Sequence, residues 1–176
     1  MRLADGPQVE CEIGISAAQE HVWGLASDIA TSARHSPELQ EVEWLDGASG
    51  PAVGACFAGR NRNAGLGEWR TRSRITRIEE HRTFQWEVVH DDDRCDHGPL
   101  AVWTFTLQPL PDENGTCLRH GMRLGDTPGP LQQAVARYPD REEQIIDGRL
   151  AMLRDGIEAT LAGVKADAEG QGRRGR

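Results

Sequence analysis

His120 is the residue of this chain best placed for proton chemistry. In the run Thr116 to Leu124 it alternates with Leu118, Met122 and Leu124, so its imidazole shares a strand face with apolar side chains. An imidazole there can take or give a proton near neutral pH. The same pattern fits a buried histidine satisfied by a neighbouring hydroxyl. His90 is the second candidate acid or base, or a gate. It closes the face made by Phe84, Trp86 and Val88, where a half-exposed strand end is the plainer reading. His90, Cys95 and His97 are competent zinc ligands by type. Their spacing forms no recognised site and no second cluster supplies a fourth ligand, so no metal is expected. The chain has no Gly-rich phosphate loop, no metalloprotease helix signature and no Gly-x-Ser-x-Gly, and no cofactor is expected.

Around these residues stand elements that would position them. Val9, Cys11, Ile13 and Ile15 alternate with Glu10, Glu12 and Gly14, which predicts a strand with one buried face. Ser16 and Gln19 have capping-box spacing, and Ala18, Val22, Leu25 and Ile29 follow at helical spacing. Two short helices then end at Ser36-Pro37. Strands are predicted over Glu41 to Leu45, Ala52 to Asn63, Glu68 to Glu79, Thr83 to His90, Leu100 to Leu107 and Thr116 to Leu124. A polar loop, Asp91 to Pro99, could close over the sheet. Leu131 to Arg137 reads as a short helix. Asp140 caps a long one running to about Asp167, with an apolar stripe at Ile146, Leu150, Leu153, Ile157, Leu161 and Val164.

The order predicts an α+β helix-grip fold: a curved antiparallel seven-stranded sheet around a long C-terminal helix, with an internal cavity. Residues 1–167 are expected to form one domain and 168–176 a disordered tail. Alternation turns Phe57, Gly59, Asn61, Trp69, Thr71, Ser73, Trp86, Trp103, Phe105 and Met122 inward. These are the expected ligand-binding residues, mostly apolar with a few polar groups. Ordinary core rings and ordinary strand polarity account for the same residues. Arg70, Arg72 and Arg74 take the outer face, paired with Glu across strands.

The net charge of −8 disfavours nucleic acid and anionic membrane surfaces. Of 20 basic residues only Lys165 is a lysine. No apolar run reaches membrane-spanning length, and the first residues lack a signal-peptide core. A cytoplasmic protein with reduced, scattered cysteines is expected. The expected partner is a lipophilic small molecule, and a homodimer is left open.

Val22-Trp23-Gly-Leu-Ala-Ser-Asp28, then Ser36-Pro37, resembles the opening of SRPBCC (START-like) proteins. So does Gly50-Pro-Ala-Val-Gly54-Ala-Cys-Phe57-Ala-Gly-Arg-Asn61-Arg with Trp69 in the next strand. The resemblance is strongest to the polyketide cyclase/dehydrase and lipid-transport group, over about Val9 to Val164. It implies a deep cavity for a lipophilic, polyketide-like molecule. Two functions follow from it. One is a cyclase, aromatase or dehydratase with His120 as acid or base. The other is a carrier that binds its ligand without changing it. Cyclases of the group often use Arg and Tyr in the cavity, whereas the single Tyr138 here lies outside the strands.

Overall fold

The computed structural model describes residues 1–90, 98–111, 114–125 and 127–172. After a 3-10 turn at Leu3–Asp5, strand β1 (Gln8–Ile15) leads into α1 (Gln19–Ala26) and α2 (Ile29–His35). Six strands follow: β2 (Leu39–Trp44), β3 (Cys56–Asn63), β4 (Gly67–Glu79), β5 (Thr83–Val89), β6 (Ala101–Pro109) and β7 (Thr116–Leu124). Then come α3 (Pro130–Arg137), a 3-10 turn at Pro139–Arg141 and the long helix α4 (Glu142–Gly172).

The strands form one antiparallel sheet in the order β1-β7-β6-β5-β4-β3-β2. The expected helix-grip arrangement is therefore present. Alternation dictates the two faces: on β1, Val9 and Ile15 are buried while Glu10 and Glu12 are exposed. The other face is covered with ion pairs. Arg60 meets Glu41 at 2.6 Å, Arg70 meets Glu43 at 2.8 Å and Arg72 meets Asp46 at 2.5 Å.

Helix α4 runs alongside β1 in the same direction. The Glu142 carboxylate accepts from the Leu3 amide at one end, and Glu169 accepts from the Ser16 amide at the other. Its stripe of Leu153, Ile157, Leu161 and Val164 packs on the inner face of the sheet, and Ile146 is buried nearer the start of the helix. Glycines let α2 and the turn after it dock on α4. A Cβ at Gly163 would lie 2.1 Å from Cγ of His35, and one at Gly156 would touch Pro37. His35 Nε2 then reaches Oδ2 of Asp167 at 2.7 Å.

Several boundaries differ from the expected ones. Ser16 does not cap α1: the helix starts at Gln19, so Ala18 holds the cap position without a side-chain bond, and the Ser16 amide donates to Glu169 of α4. Strand β3 begins at Cys56, not Ala52, since Gly54 adopts a left-handed conformation (φ 89°) incompatible with a strand. Asp140 lies in the 3-10 turn and does not cap α4. Helix α4 continues past Asp167 to Gly172 and buries Ala168, a residue assigned to the tail. On β4 the register slips between Ile75 and Arg77, so Ile75 and Ile78 share the inner face across the bulge.

Candidate functional site

The register sorts the expected site residues into rows across the inner, concave face. Asn61 faces Trp69, Gly59 faces Thr71, and Phe57 faces Ser73 between β3 and β4. Trp86, Trp103 and Met122 form the next row, and Phe105 and His120 the one after. All ten ligand-binding candidates and His120 are thus on one face. His90 is not: β5 ends at Val89, and His90 is exposed beyond it. Cys95, His97 and most of the expected covering loop lie outside the described residues.

His120 sits at the bottom of an aromatic stack. Its ring lies parallel to Phe105, with 3.8 Å between centroids and 9° between planes. Trp103 and Trp86 tilt against it at 5.3 and 6.0 Å. The two indoles are themselves parallel, 6.2 Å apart at 7°. His120 Nδ1 is 3.1 Å from the carbonyl oxygen of Thr104. A carbonyl only accepts, so the neutral ring carries its proton on Nδ1 and keeps the Nε2 lone pair. His120 is only 4% exposed. That burial pushes its pKa down to about 4, against the smaller opposing effect of the Thr104 bond. At neutral pH the group is an acceptor and not an acid.

Asn61 and Thr71, two of the polar groups expected to meet a ligand, are bonded to each other. Asn61 donates from Nδ2 to Thr71 Oγ1 at 3.2 Å and to the Gly59 carbonyl at 3.4 Å. Gly59 is a contact glycine: a Cβ there would lie 2.8 Å from Thr71 Oγ1 and 2.9 Å from Leu39 Cδ1. Phe57, Ser73, Trp86, Phe105 and Met122 are buried, whereas Trp69, Thr71 and Trp103 remain half-buried.

The half-buried residues extend this open part of the face further. Trp44, Val88, Ala101 and Leu150 join it; Trp44 meets Phe57 edge-on at 6.0 Å. Trp44 had a visible signal in its alternation with Val42. Leu150 had one in the helical stripe. Glu38 and Arg149, which join β2 to α4, had none.

Two described pockets lie elsewhere. One sits around Arg2 and the start of α4. The other, a groove of about 480 Å³, crosses the opposite side of the sheet over Gln85, Val102, Thr104 and Gly121, with Val9, Met122 and Arg154 also lining it.

The sheet grasping one long helix, with an apolar inner face and one buried imidazole, defines a helix-grip protein. The chain belongs to the polyketide cyclase/dehydrase and lipid transport family, which matches residues 7–169. A polyketide-cyclase-like protein of Corynebacterium glutamicum, Cgl2372, is similar over 96% of this chain and 95% of its own. It shows 28% identity and a TM-score of 0.63. The di-domain aromatase/cyclase StfQ of the steffimycin biosynthetic pathway aligns with 94% of this chain and 51% of its own. Identity there is 11% and the TM-score 0.70, a likeness of fold. TTHA0849 of Thermus thermophilus aligns over 94% and 99%, with 16% identity and a TM-score of 0.62. No curated protein matches the chain.

Proposed function

We propose that this protein binds a lipophilic, oxygenated, polyketide-like molecule against the concave face and promotes its cyclisation, aromatisation or dehydration. The observation that carries the reading is His120: a neutral imidazole with an Nε2 lone pair, stacked among Phe105, Trp86 and Trp103. Flat rings would stack on the indoles. Nε2 would take the proton from the carbon beside a ketone, and the enolate would form the new C–C bond at a second carbonyl. The imidazolium would return its proton to the new alkoxide, and loss of water would follow in a dehydration. Family membership supports the ligand class.

A carrier without catalysis is the second reading, favoured by the same burial. A ring with a pKa of about 4 takes up a proton poorly, and holding a hydroxyl donor asks nothing more of it. A short poly-β-ketone thioester separates the two. In an enzyme, His120→Gln should retain ligand and lose about 10²–10⁴-fold in turnover. In a carrier, the wild type gives no turnover and the variant loses about 0.5–1.5 kcal/mol of affinity.

A cytoplasmic location is part of the proposal. Cys11, Cys56 and Cys117 are unpaired, in keeping with a reducing compartment. Among the described residues no helix is long and apolar enough to cross a membrane.

A further inference from the structure

We propose that the concave face admits its ligand only in uncharged form, so that the substrate is a neutral ketone, ester or phenol and not a free carboxylic acid. The inference rests on the concave face being the binding site.

The strand registers carry it. Each strand turns one alternate set of residues inward, and among the described residues none of those sets contains Asp, Glu, Lys or Arg. Arg60, Arg70 and Arg72 all point the other way and are engaged by carboxylates there. On α4 the core-facing positions are apolar, and Arg149 is already neutralised by Glu38. Arg154 reaches Cys11 at the β1 edge, where Glu158 meets the same thiol. His120 carries no charge at neutral pH. Away from that edge a ligand carboxylate would therefore lose its water and meet no cation, which is costly in an apolar surrounding. A ketone or phenol oxygen needs only a hydrogen bond, and the Nε2 lone pair can accept one from a phenol. An acidic or tethered end of the substrate would have to stay in solvent.

The test compares methyl 9-anthracenecarboxylate with the free 9-anthracenecarboxylate by tryptophan quenching at pH 7.5. The two differ by little beyond the charge. The ester should bind, and the acid should bind at least about 100-fold more weakly. Ala101→Lys places a cation in the half-buried row and should bring the acid to within about 10-fold of the ester. Val88→Lys repeats this from the neighbouring strand if the first variant does not fold. Equal affinity of the wild type for ester and acid overturns charge selection and leaves the binding face intact. Quenching by neither compound overturns both.

Discussion

Glu38 and Arg149 form a two-pronged ion pair, with oxygen–nitrogen distances of 2.5 and 2.9 Å, across a sequence separation of 111. The pair joins opposite edges of the sheet. Helix α4 lies along edge strand β1, and Glu38 immediately precedes β2, the other edge. In a flat seven-stranded sheet those edges would be about 29 Å apart, while a helix is only about 10–12 Å across. The sheet must curl for one helix to touch both.

Breaking this clamp should destabilise the fold. Both side chains are about four-fifths buried, at 18% and 20% exposure. Arg149→Met strands the carboxylate, and the expected cost is ~2–3 kcal/mol, somewhat below that of a fully buried pair. Burial alone would push the Glu38 carboxyl up. The hydrogen bonds from Arg149 and Asn63 and the guanidinium charge outweigh it and hold the pKa below the usual range. A carboxyl lowered by folding stabilises above its unfolded pKa, and that stability is lost as pH falls through the folded one. Urea titrations from pH 7 to pH 3 should show a shallower acid limb for Arg149→Met. Equal stability at pH 7 would remove the clamp from the forces holding the curl.

The glycines of α4 divide by what faces them. A helical Gly→Ala change normally gains about 0.5–1 kcal/mol. Gly148 is exposed with nothing within 4 Å of an added Cβ, so Gly148→Ala should show that gain. Gly163→Ala should reverse the sign, because its methyl would occupy the place of the His35 ring and prise α2 from Asp167. Thermal melts of the two variants check this; shifts in the same direction would mean that His35 moves aside without loss.

Periodicity is local, and what it governs was legible. The seven strands, the apolar stripe of α4 and the buried faces follow from alternation and helical spacing, except beyond the β4 bulge, where Ile78 turns inward against strict alternation. Pairings between distant residues were not legible: nothing local ties Glu38 to Arg149 or Ser16 to Glu169. The last turns of α4 were missed because Ala166, Ala168 and Gly170 carry too little apolar surface to mark a stripe, although Ala168 is buried. For the site, the inward direction of His120 was readable, but its tautomer depends on the Thr104 carbonyl of the neighbouring strand. The mutual bonding of Asn61 and Thr71 likewise needed the β3–β4 register.

That knot makes Gly59 sensitive to one added methyl. Gly59→Ala must push aside Thr71 Oγ1 and Leu39 Cδ1, an overpacking cost of about 1–3 kcal/mol. Removing the obstructing hydroxyl should recover part of it, so Gly59→Ala with Thr71→Ala should be less harmful than the sum of the two changes. A double-mutant cycle by chemical denaturation measures the coupling. Additive costs would show that Thr71 is not the group in the way.

His120 should make the fold acid-sensitive in its own pH window. Its folded pKa of about 4 lies below the ordinary value of 6.5. The folded state therefore binds fewer protons than the unfolded one below pH 6.5. Stability is fully present above that pH and is lost as pH falls toward 4. The loss from this one group should approach ~2 kcal/mol at pH 5 and ~3 kcal/mol at pH 4. His120→Phe keeps the stack on Phe105 and cannot titrate, at the cost of the Thr104 hydrogen bond, roughly 1 kcal/mol at pH 7.5. The expected result is a crossing: the variant weaker than wild type at pH 7.5 and stronger at pH 4.5. Taking the difference between the two proteins cancels the carboxylates they share. The base form is already complete above pH 5, so the affinity of a neutral phenol should stay flat from pH 5 to 8. Parallel stability curves, or affinity falling between pH 7 and 6, would mean that His120 titrates as an ordinary solvated histidine and is not sealed in the stack.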